Sequence, residues 1–125
     1  MAEKEVLKEP VYVEEILKLL RSGLKKDELL KELSDYHESD IADALEQMTS
    51  AERKKIYPVL GEEYVADIFS YIENPTLYLN EIDVKKAAKV LSEMDSDDAI
   101  DALEDFNESD RKKIVAMLDE DAGKD

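Results

Sequence analysis

A long internal repeat constrains the fold of this chain more than any other feature of its sequence. The stretch from Leu33 to Leu60 recurs without a gap from Leu91 to Leu118, at a constant offset of 58 residues. Identical residues at this offset include the pairs Leu33/Leu91, Asp40/Asp98, Asp43/Asp101, Ala44/Ala102, Leu45/Leu103, Arg53/Arg111, Ile56/Ile114 and Leu60/Leu118. Repeats of this kind are units that stack on their neighbours, so the sequence predicts a repeat architecture.

The composition and the hydrophobic periodicity are typical of helices. Only three Gly and three Pro occur in 125 residues, and apolar residues recur at i, i+3, i+4 and i+7 almost throughout. From Asp40 the chain falls into units of about twelve residues, one of them shorter by two, that we start near Asp40, Glu52, Tyr64, Thr76, Lys86, Asp98 and Asp110. Helices this short are marginal alone and need stacked neighbours. The sequence therefore predicts an all-α fold, a right-handed superhelix (solenoid) of seven to nine short helices.

The predicted boundaries give one domain, since 125 residues are enough for a single core. We expect a flexible N-terminus over 1–9, the helical superhelix over 10–118 and the start of a linker over 119–125. A first helix begins at Pro10 and ends near Ser22, before Gly23. The predicted helix N-caps are Asp27, Ser50, Asp83, Ser96 and Ser109. The repeat register makes Leu45 and Leu103 equivalent buried positions.

The charge and the residue types exclude several classes of function. The formal net charge is −16 and the isoelectric point is near 4.4, which disfavours binding to nucleic acid and to anionic membranes. No apolar run approaches the roughly 20 residues that span a bilayer. Cysteine is absent, and His37, the single histidine, reads as a capping or surface group. We therefore expect no enzymatic activity, because no nucleophile or general base stands in a recognisable pattern.

Carboxylates are concentrated on the predicted helix that follows Asp97. Asp97, Asp101 and Asp105 recur at i, i+4 and i+8, with Asp98 and Glu104 beside them. A calcium loop is excluded, because Ala99 and Ile100 stand where a ligand and a glycine are needed. A solvated face and a surface for a basic partner are both possible. A hydrated, oxygen-rich site of this kind also suits Mg²⁺, which takes only one or two carboxylates.

Four runs of sequence resemble the cytoplasmic N-domain of MgtE-type magnesium transporters. They are HESDIADALEQM (37–48), AERKKIYPVL (51–60), VADIFSYI (65–72) and MDSDDAIDALEDF (94–106), and the resemblance extends from about Val13 to the end. It implies a domain on the cytoplasmic side of the membrane that precedes a pair of CBS modules and a pore in a dimeric transporter. It also implies a regulatory role, in which weakly bound Mg²⁺ ions draw the acidic superhelix onto the CBS modules and close the pore. The positions carried over by motif are Asp97, Asp98, Asp101 and Asp67.

One basic run departs from the family pattern, and one other class of function stays open. Lys85, Lys86 and Lys89 stand where the family is often acidic, which weakens the negative field in the middle of the superhelix. The alternative is an acidic helical-repeat scaffold, related to the superhelical parts of flagellar motor switch proteins, that holds a basic protein segment without metal.

Overall fold

The computed structural model describes the backbone of residues 12–124 and the side chains of residues 12–118. Within this range the chain forms nine helices and no strand, which confirms the all-α prediction. The first helix, α1, covers 12–20, and the others are α2 (Lys26–Leu33), α3 (Glu38–Gln47), α4 (Ser50–Leu60), α5 (Glu62–Phe69), α6 (Thr76–Leu79), α7 (Val84–Glu93), α8 (Ser96–Glu104) and α9 (Glu108–Lys124).

The chain divides into two compact units, the first ending at Gly61 and the second beginning at Glu62. Gly61 has a φ of 88°, a backbone conformation that favours glycine. Each unit contains one copy of the repeat, as α3 and α4 in the first and as α8 and α9 in the second. The superhelix expected over 10–118 thus spans two units, and its right-handed solenoid form stays a prediction.

The helix starts follow the predicted spacing of twelve residues. Helices α3, α4 and α5 begin at 38, 50 and 62, and α7, α8 and α9 begin at 84, 96 and 108. The shorter interval lies between α5 and α7, where α6 supplies the single turn expected around Tyr78. The first helix ends at 20 and is followed by a turn with Gly23 at a φ of 79°. Pro10 and the N-terminus 1–9 lie outside the described residues.

The helix caps agree only in part with the prediction. Asp83 caps α7 as predicted, its carboxylate accepting from the backbone N–H of Lys86 at 2.8 Å. The prediction that Ser50 is the N-cap of α4 is wrong, because Thr49 caps this helix in a reciprocal capping box with Glu52. Three further predicted caps are also wrong, because α2, α8 and α9 begin too early for them: Asp27, Ser96 and Ser109. The N-cap residues of α2 and α8 are Lys25 and Asp95, and neither makes a side-chain capping bond.

The end of α9 extends beyond the boundary that the sequence suggested. The backbone remains helical to Lys124, whereas the superhelix was expected to end at Leu118. Gly123 and the acidic residues before it therefore continue a helix rather than break it. The role of 119–125 as the start of a linker stays a prediction.

Each unit has its own apolar core. In the first unit α2 packs against α4, and in the second unit α5 packs against α7 and α7 against α9. Fully buried side chains include Ile16, Leu29, Leu33, Ile41, Leu45 and Leu60 in the first unit, and Val65, Ile68, Phe69, Leu79, Leu91 and Ile114 in the second. Burial of this apolar surface is the main force that stabilises helices too short to form alone.

The two copies of the repeat are not equally buried. Leu45 is 0% exposed, as predicted, but the equivalent Leu103 is only half-buried. Four residues of α3 are buried, whereas Ala102 is the buried residue of α8. The predicted equivalence of Leu45 and Leu103 is therefore wrong. The physical reason is that burial depends on the elements packed against a helix, which the register of the repeat does not specify.

Candidate functional site

The second unit contains a small cleft lined by four carboxylates. Asp98, Asp101 and Asp105 come from α8 and its C-cap, and Glu73 comes from the turn after α5. The cleft has a volume of about 90 Å³, and its remaining lining is mostly apolar: Phe69, Ser70, Ile72, Pro75, Met94 and Ala102. The spacing i, i+3 and i+7 places the three aspartates on one face of α8. We refer to this feature as the acidic cleft.

One buried hydrogen bond joins the two segments that line the acidic cleft. The hydroxyl of Thr76, at the start of α6, donates to the carbonyl oxygen of Ala102 at 2.8 Å. Thr76 is 3% exposed and Ala102 is 2% exposed, so this bond is shielded from water. It fixes α8 against the segment that follows Glu73. The carboxylate of Glu73 is thereby brought to the same cleft as those of α8.

The structure brings together two of the four predicted metal positions. Asp98 and Asp101 line the acidic cleft, whereas Asp97 is exposed and lies outside its lining. Asp67 is exposed on α5 and is also outside the lining, although its backbone carbonyl accepts a hydrogen bond from the hydroxyl of Ser70, which does line the cleft. Whether any of the four binds metal stays a prediction.

Glu73 is the cleft residue that the sequence analysis missed. It lies in the Glu73-Asn74-Pro75 turn, 25 residues before Asp98, and no periodicity connects it to α8. One feature of the sequence could have indicated Glu73. It is a carboxylate in the turn between two repeat units, and from a turn its side chain could reach the next unit. Asp105 was part of the acidic stripe in the sequence but was not assigned to the site.

The carboxylates of the acidic cleft suit a hydrated hard cation better than a fully coordinated one. Within the described residues, no three His, Asp or Glu side chains are arranged to hold one metal ion. Mg²⁺ prefers oxygen ligands and usually keeps several waters. A cleft of about 90 Å³ is large enough to admit water. Binding of Mg²⁺ in the acidic cleft stays a prediction.

The first copy of the repeat carries two aspartates at the same spacing. Asp40 and Asp43 on α3 are the equivalents of Asp98 and Asp101. Partial burial raises the pKa of the Asp43 carboxyl, and the negative charge of Asp40 raises it further. Like charges three residues apart on a helix repel each other. Asp98 and Asp101 have the same spacing on α8.

The first unit contains a larger cleft that does not carry comparable chemistry. Its volume is about 450 Å³, and most of its lining is apolar: Leu20, Gly23, Leu24, Leu29, Met48, Ile56 and Val59. The carboxylate of Glu52 at this cleft already accepts a hydrogen bond from the guanidinium of Arg21 at 2.9 Å. Volume alone does not indicate a site, and we assign the functional role to the acidic cleft.

His37 has the capping role that the sequence predicted. It is the N-cap of α3, and its Nδ1 accepts a hydrogen bond from the backbone N–H of Ser39 at 3.0 Å. A ring nitrogen in this position stabilises the start of a helix.

A comparison with known protein families shows which family this chain belongs to. Residues 36–125 match the family described as the MgtE intracellular N domain, which is well over half of the chain. The chain belongs to the MgtE intracellular N-domain family. This confirms the resemblance found in the sequence. Comparison with curated proteins gives no match.

A solved structure supports the fold of this MgtE N-domain. The crystal structure of the soluble part of a magnesium transporter superposes with a TM-score of 0.77 at 24% sequence identity. The match covers 88% of the present chain and 44% of that chain, so this chain spans less than half of the length of the solved protein. In the part of the chain that the structure describes, no helix combines the length and the apolar character needed to cross a bilayer.

Proposed function

We propose that this MgtE N-domain is a regulatory, non-catalytic magnesium sensor on the cytoplasmic side of a dimeric transporter. Mg²⁺ binds between its acidic surface and acidic groups of the CBS modules, draws the two together and closes the pore. The observation that carries this proposal is the acidic cleft, which places Asp98, Asp101, Asp105 and Glu73 together in a member of this family. Asp97 and Asp67 act at its margin and widen the negative field.

The physical basis is a difference in repulsion between the open and the closed arrangement. Two carboxylates about 4 Å apart repel by roughly 1 kcal/mol in water and by roughly 4 kcal/mol at an effective dielectric near 20. The carboxylates of α8 are mostly solvent-exposed in this chain, so they are near the first limit. When a second acidic surface covers them, the repulsion approaches the second limit. A bridging Mg²⁺ then relieves the larger repulsion, and association depends on the ion.

The proposal gives a defined expectation for the chain alone. Exposed carboxylates bind Mg²⁺ weakly, with a dissociation constant on the order of millimolar or higher, which corresponds to about −4 kcal/mol. Tighter binding is expected only where the CBS modules cover the acidic face, so that binding and closure are coupled. A weak sensor of this kind is suited to reporting an abundant ion.

The test measures Mg²⁺ binding by calorimetry in this chain and in the transporter's soluble region that also contains the CBS modules. We expect weak binding in the chain alone and a marked gain in the longer protein. The combined substitution of Asp97, Asp98 and Asp101 by Asn should abolish most of that gain and leave the fold intact. NaCl of equal ionic strength should not reproduce the effect of Mg²⁺, because screening does not distinguish the cations.

A matched control keeps the total change of charge constant. Glu14→Gln, Asp27→Asn and Asp35→Asn together remove three exposed carboxylates of the first unit. This control should retain the gain in Mg²⁺ binding. Unchanged Mg²⁺ binding in the α8 triple variant would show that these residues are not the site.

A further inference from the structure

Helix α8 carries an apolar strip that is open to solvent on the side away from the acidic cleft. Ile100 is 54% exposed, and Ala99 and Leu103 are each only partly buried. Ala99 and Leu103 are four residues apart and Ile100 and Leu103 three apart, so the three side chains lie on neighbouring turns of one face. We refer to these three residues as the α8 strip. An exposed apolar strip of this kind on a short helix is a candidate interaction surface.

The first copy of the repeat shows the same strip in a covered state. Its equivalents on α3 are Ile41, Ala42 and Leu45, which are 0%, 1% and 0% exposed. The register of the two helices is the same, but the larger side chain stands at the exposed position of the second copy, where Ile100 replaces Ala42. Because Ala99 in turn replaces Ile41, the two strips contain the same three residue types, and α8 carries its Ile at a position that the second unit leaves exposed. This indicates a packing surface that is completed by another element.

The charges beside the α8 strip specify what that element can be. Asp97 and Glu104 are exposed and lie three and four residues from Ile100, so they border the strip on one side. Beyond them Asp101 continues the acidic arc toward the acidic cleft. A second copy of this chain would bring two acidic arcs of a protein with net charge −16 against each other. A partner with basic residues beside an apolar stripe would instead be attracted.

We infer that the α8 strip binds an amphipathic helix whose apolar stripe is flanked by Lys or Arg. The stripe packs on Ile100 and Leu103, and the flanking cations approach Asp97 and Glu104. This is the helix-in-groove mode of recognition, in which apolar anchors supply affinity and charges supply orientation and rate. The three apolar residues of the strip lie outside the lining of the acidic cleft, and Asp97 is the one residue shared with the proposed sensor surface. The interaction itself does not require Mg²⁺ and goes beyond the proposed sensor function.

The test uses a fluorescently labelled designed peptide of about 18 residues, or roughly five helical turns. Leu stands at i, i+3, i+4 and i+7, and Lys flanks the stripe. Binding to the full 125-residue chain is measured by fluorescence anisotropy in buffer with a chelator, so that Mg²⁺ plays no part. Two control peptides replace the Leu residues by Ser or the Lys residues by Glu. We expect the designed peptide to bind and both controls to bind at least about tenfold more weakly.

Matched variants of the protein locate the surface. Ile100→Ser should weaken binding at least about tenfold. Leu77→Ser, which changes a side chain 62% exposed on α6, should leave binding unchanged. Asp97→Asn with Glu104→Gln should slow association, whereas Asp27→Asn with Glu28→Gln on α2 should not. Circular dichroism confirms that each variant is folded, and both apolar positions are exposed enough for a polar residue.

Three results would overturn the inference. The first is equal binding of the peptide by the unchanged chain and by the Ile100→Ser variant. The second is equal binding of the peptide with Ser in place of Leu, which would mean charge attraction alone. The third is a dimer in sedimentation experiments that Ile100→Ser dissociates, which would make a second copy of this chain the occupant of the strip.

Discussion

The hydroxyl of Thr76 donates a hydrogen bond to the carbonyl oxygen of Ala102, 26 residues further along the chain. Thr76 is the buried polar residue among the described side chains, and Ala102 is the buried residue of α8. This contact joins α6 to α8 at the buried residue of α8.

Replacing Thr76 by Val should destabilise the second unit while keeping its shape. Val has nearly the same volume, so the change removes the hydroxyl and leaves a carbonyl with one partner fewer. We expect a loss of about 1 kcal/mol in the free energy of unfolding, measured by urea denaturation. Thr76→Ser, which keeps the donor, should retain the amide-exchange protection of α8, and Thr76→Val should lower it. Equal protection in both variants would contradict the role given to this bond.

Truncation of the two equivalent leucines should give unequal results. Leu45→Ala creates a cavity in a fully buried site and should cost about 2–5 kcal/mol in the free energy of unfolding. Leu103→Ala removes a half-buried side chain and should cost clearly less, because less apolar surface is lost. Chemical denaturation of both variants under one set of conditions makes the comparison. Equal losses would show that the two copies of the repeat are buried alike.

Asp43→Asn should stabilise the protein at neutral pH. Partial burial and the neighbouring Asp40 raise the pKa of the Asp43 carboxyl above its ordinary value of 3.8, so the folded state holds this proton more tightly than the unfolded state does. The contribution to stability is full below the ordinary value and is lost as the pH rises through the folded value. The variant should therefore gain most above about pH 5 and little near pH 3. Glu46→Gln, an exposed change on the same helix, is the control.

The opposite pH dependence is expected for Glu52. The hydrogen bond from Arg21, followed by that from the backbone of Thr49, holds the pKa of the Glu52 carboxyl below its ordinary value of 4.5. Its contribution to stability is present above the ordinary value and is lost as the pH falls through the lowered one. Arg21→Gln should reduce the fall in thermal midpoint between about pH 5 and pH 3.

A matched exposed ion pair controls for the loss of charge in that experiment. Lys112 and Glu108 on α9 form an i, i+4 pair at 3.6 Å whose side chains are 76% and 74% exposed. Pairs of this kind contribute little, because solvent screens them and both side chains lose conformational entropy. Lys112→Gln should leave the pH profile as it is. If Arg21→Gln also left the pH profile of the thermal midpoint unchanged, the pair of Arg21 and Glu52 would be screened by solvent as much as the pair of Lys112 and Glu108.

The helices and their spacing could be predicted from the sequence, because both depend on local periodicity. The twelve-residue starts, the turn at α6 and the cap at His37 are all encoded within a few residues. Caps were less predictable where two polar residues are adjacent. Thr49 and Ser50 are both good N-caps, and the reciprocal bond with Glu52 selects Thr49.

The residues of the acidic cleft could be predicted only in part, because some of them are brought together by contacts between distant parts of the sequence. Asp98 and Asp101 share a helix face, which periodicity reveals. Glu73 reaches the same cleft because Thr76 fixes α6 against α8, and that contact joins residues far apart in sequence. The partial exposure of Leu103 has the same origin, since it depends on which element packs against α8. Tertiary packing of this kind leaves no signal in a single sequence.

The helix caps also bear on how fast the chain folds. Thr49 with Glu52, Asp83 with Lys86, and Asn107 with Asp110 each start a helix through a side chain three residues away. Such short closures cost little loop entropy, so each helix start can form before distant segments meet. Proteins dominated by local contacts have low contact order and fold on the order of milliseconds or faster. The helix starts should therefore form within the mixing time of stopped-flow refolding, and the step observed should be the burial of long-range pairs such as Thr76 and Ala102.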